Sequence, residues 1–187
     1  MGNEFLGDRR TALEDTFFHK KDRELLEKLR AESQVKEKKG ALAAASGFTN
    51  DALLDGLLAA GIESETFAAV TLAPLVAVAW ADHEVQADER EQILASAVKT
   101  GMAVGSAGYA LLQGWLERAP GPELMTAWKD YVGALRQTLD AGALKTLKDE
   151  VMGRARHVAR AAGGVMGFGR ISAAEHGVLD ELERAFS

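Results

Sequence analysis

The chain contains no cysteine. Disulfides, thiolate metal sites and cysteine nucleophiles are therefore excluded from its chemistry. It has three prolines in 187 residues, Pro74, Pro120 and Pro122, and only 6% aromatic residues. The alternation of β-branched and aromatic residues that marks strands is missing, while Ala, Leu, Glu, Lys and Arg dominate, so the sequence predicts an all-α protein. No long apolar run is present. The most hydrophobic stretch, Phe67 to Ala81, covers about 15 residues, short of the ~20 that span a bilayer, so no transmembrane segment is expected. An excess of basic charge is lacking too. The net charge of −6 argues against a nucleic-acid partner, because phosphate neutralisation needs clustered Lys and Arg. The opening residues MGNEFLGDRR carry charges where a signal peptide needs an apolar stretch, and Leu6 stands where a myristoylation signal wants Ser or Thr. The expected location is cytoplasmic.

What is present divides into two regions. Residues 1–46 form a charged N-terminal helical arm. From Asp8 to Ser46 nearly half the side chains are charged. Leu6, Leu13 and Phe17 make one sparse apolar stripe, and Leu25, Leu26 and Leu29 make another. A helix this polar gains little from burying its own face, which marks the arm as a surface for a protein partner or for self-association. Residues 47–187 read as a helical bundle. Asn50 is placed to cap a short helix that Gly61 closes, and Pro74 marks a kink or a fresh helix start. Leu124, Trp128, Val132, Leu135 and Leu139 recur at helical spacing, and Trp80, Trp115 and Trp128 are expected in the core. A glycine-rich turn spans Gly163 to Gly169. It lacks the Lys-Ser/Thr and the preceding strand of a phosphate loop, so a tight turn is the expected reading.

This region contains a repeat. Asp82-His83-Glu84-Val85-Gln86-Ala87-Asp88-Glu89 aligns with Phe168-Gly169-Arg170-Ile171-Ser172-Ala173-Ala174-Glu175. Val85 then matches Ile171, Glu89 matches Glu175, and Ile93 matches Leu179. Ser172 and Glu175 have the spacing of a capping box, and Glu89 holds the same third helical position. Val85 and Ile171 are placed to act as hydrophobic staples. The first copy is acidic, and Asp82, Glu84, Asp88 and Glu89 are candidate ligands for a divalent cation such as calcium. A true EF-hand is not expected, because its earlier ligand positions fall on Val78 and Trp80 and its required glycine is His83. In the second copy Phe168 replaces the aspartate.

The run Ala81-Asp82-His83-Glu84-Val85-Gln86-Ala87-Asp88-Glu89-Arg90-Glu91 resembles the signature of TerB-like (tellurite-resistance) domains, roughly A-D-G-x-V-s-x-x-E-r at a helix-to-helix turn. That resemblance covers about residues 50–187. It implies an all-α fold of pseudo-repeated helical pairs, with acidic clusters that serve metal or partner binding in bacterial stress systems. His83 departs from the family's glycine. Near the N-terminus, Asp8, Arg9, Ala12, Glu14, Phe17 and His19 are similar to the opening of the ATP synthase zeta inhibitors, which implies an ATPase-inhibitor-like role for the arm.

No catalytic constellation is visible. His19, His83, His157 and His176 do not pair at helical metal-site spacing, and no nucleophile elbow is present. His157 falls among Arg154, Arg156 and Arg160, expected to face solvent or an acidic partner. The sequence thus favours a non-enzymatic interaction module with no cofactor. Its partner-contact candidates are Asp8, Arg9, Phe17, His19, Leu25 and Leu29. A cation-binding or sensing protein is the alternative.

Overall fold

The computed structural model describes the backbone of residues 2–161 and 171–187, and the side chains of 21, 23–161 and 171–187. Its described residues form eight α-helices and one 3-10 helix, with no strand. The expected all-α class is therefore what the chain adopts. Helices α1 (Gly2–Ser46), α2 (Asp51–Ala59), α3 (Ala73–Ala79), α4 (Ala87–Lys99), α5 (Ala107–Glu117), α6 (Pro122–Thr138), α7 (Ala141–Ala161) and α8 (Ala173–Ala185) follow in order, and the 3-10 turn Phe67–Leu72 precedes α3. Among the described residues no helix is long and apolar enough to cross a membrane.

The chain divides into two units, Met1–Gly40 and Ala41–Ser187. In the first, residues 23–40 are exposed apart from half-buried Lys39. Ion pairs along the helix, such as Lys28 with Glu32 at 3.9 Å, are worth only tenths of a kcal/mol. The second unit begins within the last turns of α1, earlier than the change in composition suggests. The reason is Leu42, which is fully buried in the core of this unit. Gly47, at φ +75°, then ends α1 by donating its N–H to the Ala43 carbonyl.

The second unit is built around α3. Ala73, Pro74, Leu75, Val76, Val78 and Ala79 are all buried, because α3 packs against α4, α6, α7 and α8. A helix apolar on every side needs such a central place. Pro74 sits in the first turn of α3, where its missing N–H costs nothing, so it marks a fresh start and not a kink. The outer helices each present one stripe: Leu53, Leu54 and Leu57 from α2, Ile93 and Ala97 from α4, Leu124, Trp128 and Val132 from α6, Leu179 and Leu182 from α8. Trp115 and Trp128 are buried as expected, and Trp80 is partly buried against the same core. Asn50 caps α2 by accepting the Leu53 N–H at 3.1 Å, and Gly61 closes that region at φ +75°.

Candidate functional site

The acidic turn joins α3 to α4. His83 donates its N–H to the Trp80 carbonyl at 3.0 Å, and Asp82 Oδ1 accepts the Glu84 N–H at 3.2 Å. Closing the turn this tightly puts His83 at φ +71°, the left-handed region that suits glycine. The turn is also tied to a neighbour. Trp80 Nε1 donates to the Trp115 carbonyl at 2.7 Å, and Arg90 Nη2 donates to the Leu116 carbonyl at 2.6 Å. Both acceptors lie in the last turn of α5, where helix carbonyls lack intrahelical partners and the dipole favours a cation.

Glu89 opens α4 from its third position. Its Oε2 accepts the Gln86 N–H at 2.9 Å, and the side chain is buried, with the residue only 2% exposed. The second copy repeats this arrangement. Glu175 Oε2 accepts the Ser172 N–H at 2.6 Å, Ser172 Oγ accepts the Glu175 N–H at 3.2 Å, and Glu175 is 5% exposed. The capping box expected at Ser172 and Glu175 is therefore formed. Val85 and Ile171 pack on the core, but Arg90 and His176 occupy the fourth helical positions, so neither makes the reciprocal staple contact.

The charge of the second carboxylate reaches the first. Burial pushes the Glu89 carboxyl up to about 7. The negative charges of Asp82 and Glu175 add to that rise, while the Gln86 N–H opposes it. Glu175 Oε1 is buried with no hydrogen-bond partner among the described residues. The chemistry this supports is retention of a proton on one carboxyl near neutral pH.

It is not the arrangement of a cation site. Asp82, Glu84 and Asp88 are exposed, whereas Glu89 turns inward to its capping bond. Among the described residues no group of three His, Asp or Glu side chains is gathered in a way that could hold a metal ion. The expected set of Asp82, Glu84, Asp88 and Glu89 is thus split between the surface and the interior. Proximity in sequence did not reveal this, because a capping glutamate points back along its own helix.

Of the partner-contact candidates, Leu25 and Leu29 are 56% and 52% exposed on α1. The side chains of Asp8, Arg9, Phe17 and His19 lie outside the described residues. So do Phe168 and the glycine-rich turn Gly163 to Gly169. His157 and His176 are exposed, and His157 Nε2 lies 2.9 Å from Gln92 Oε1. Arg154, in contrast, is half-buried and lines an apolar cavity, so it does not simply join the solvent-facing row.

No family model matches the chain, and no curated protein or solved structure shows significant similarity to it.

Proposed function

We propose that the protein is a non-catalytic interaction module whose N-terminal helix pairs with the same helix of a second copy. One observation carries this reading. Leu25, Leu26 and Leu29 are 56%, 53% and 52% exposed on adjoining turns of α1, within a stretch that has no buried apolar face. An uncovered leucine stripe on a helix is a surface for another helix. The charge pattern favours self-pairing. Lys21, Arg23, Lys28 and Arg30 are interspersed with Asp22, Glu24, Glu27 and Glu32, so the signs balance and an identical helix laid antiparallel offers complementary charge.

The domain that carries this helix is assigned, on the same proposal, to the TerB-like class. The positive φ at residue 83 supports this, because it falls where the family signature has glycine. The paired capping glutamates fit a duplicated helical unit. The setting implied by that resemblance is bacterial stress response.

Sedimentation velocity tests the pairing. The chain should show a concentration-dependent shift from its 20.0 kDa monomer to a dimer. Changing both Leu25 and Leu29 to Lys should leave monomer only, with helical content unchanged by circular dichroism. A wild-type chain that stays monomeric throughout, or a double variant that dimerises as well as wild type, rules the reading out.

A further inference from the structure

A second feature lies inside the Ala41–Ser187 unit and is independent of α1. A cavity of about 320 Å³ opens between the 3-10 turn, the end of α4, and helices α6 and α7. Its walls are apolar and well packed. Trp128 and Val132 come from α6, and Val151 from α7, each at most 5% exposed. Phe186 meets Trp128 edge to face at 5.9 Å. Tyr131 is held by edge-to-face contacts with Phe48 and Phe67, both at 5.7 Å, and burial pushes its hydroxyl pKa up.

The polar groups around this space are few. Thr71 and Thr100 also line it, but their hydroxyl protons are given to the Ala68 and Ala97 carbonyls, each at 2.9 Å. Among the described residues no acidic side chain lines the cavity. The one charged side chain among the described lining residues is Arg154, half-buried at its edge. Arg154 Nε donates to the Glu150 carbonyl at 3.4 Å, and among the described residues no carboxylate lies within ion-pair distance of its guanidinium. A guanidinium without a carboxylate, at the edge of an apolar chamber, matches a ligand with an apolar body and an anionic end. Its planar fork suits a carboxylate in particular.

Arg154 also sits on the apolar side of α7, three residues after Val151 and four before Val158, both of which are buried. Its neighbours Arg156 and Arg160 are exposed, and Arg156 lies 3.9 Å from Glu183. The charge at the cavity is thus set apart from the rest of the basic row.

We propose that this cavity is a binding site for a small amphiphilic monocarboxylate, with the apolar body against Trp128, Val132 and Val151 and the carboxylate on Arg154. Size narrows the class. A cavity of ~150 Å³ accommodates benzene, so twice that volume suits an acyl or aryl body on the order of ten carbons.

Calorimetric titration of the full chain with decanoate, 1-decanol and decylamine, all below micelle-forming concentrations, tests this. Decanoate should bind saturably at one site and alter tryptophan fluorescence. Decanol should bind about tenfold more weakly for want of the charge-assisted hydrogen bonds, and decylamine more weakly still. Arg154→Gln should erase the difference between decanoate and decanol. Ala68→Trp closes the space from an exposed position and should abolish binding of both, as should Val132→Phe if it folds. Absence of saturable decanoate binding overturns the proposal. So does equal affinity for decanoate and decanol, or binding that survives Ala68→Trp and a folded Val132→Phe. None of these outcomes depends on whether α1 pairs.

Discussion

Glu89 and Glu175 perform the same local task. Each stands at the third position of a helix, each accepts the N–H of the residue before that helix, and each is buried. Their surroundings differ. Glu89 follows a turn that places Asp82 near it and forces His83 to φ +71°, and it feels the charge of Glu175 as well. Glu175 follows Ser172, and its second oxygen has no hydrogen-bond partner among the described residues. A capping carboxylate is stabilising at a surface helix start, where water solvates its free oxygen. Moved inside, the same device acquires a desolvation cost, which at Glu89 appears as a raised proton affinity.

The largest expected effect follows from that shift. The folded-state value of about 7 lies above the ordinary 4.5, so between these limits the native state holds a proton that the unfolded state has lost. The stability contributed by protonated Glu89 is fully present below pH 4.5 and is lost as pH rises through 7. Glu89→Gln keeps an oxygen for the Gln86 N–H but cannot ionise. Relative to this variant, the wild type should lose about 3 kcal/mol of stability between pH 4.5 and pH 8, at roughly 1.4 kcal/mol per pKa unit. Urea unfolding of both proteins at the two pH values measures the difference. A gap that does not change with pH would show that Glu89 titrates normally, and the two turns would then be electrostatically alike.

A smaller effect of opposite sign is expected at His83. A non-glycine residue in the left-handed region stores strain of about 1 kcal/mol or more, partly offset by the greater freedom glycine has when unfolded. His83→Gly should therefore raise stability by about 1 kcal/mol, as measured by chemical denaturation. Unchanged or lower stability would mean that the imidazole makes up for the strain.

These two residues also show what could be read ahead of the structure. Helix class and most boundaries were legible, because Asn50, Gly61, Pro74 and the Ser172–Glu175 spacing act within one or two turns of chain. The capping role of Glu89 was legible for the same reason. Its burial was not, since that depends on how α4 packs against α7 and α3, contacts made far along the sequence. The same limit explains the acidic turn, where four carboxylates close in sequence are split between surface and interior. Leu42 was inconspicuous within a charged stretch and proves to be fully buried. Arg154 carried a usable signal, its spacing from Val151 and Val158, but three neighbouring basic residues concealed it.

The smallest effect tests whether the two turns sense each other. Burial is the leading cause of the rise at Glu89, and the charge of Glu175 is a lesser one, ranked after that of Asp82. Glu175→Gln removes that charge and leaves the burial of Glu89 in place. The Glu89 carboxyl should then titrate lower than in the wild type, by less than about one unit, while staying above the ordinary carboxylate range because desolvation persists. The pH dependence of the Glu89 side-chain carboxyl resonance in NMR reads this directly. A fall of the expected size would make the repeat a coupled pair, in which the proton held at one helix start depends on the charge at the other. An unchanged midpoint would mean that burial and Asp82 alone set the proton affinity of Glu89, and that the two caps are duplicated in structure but electrically separate.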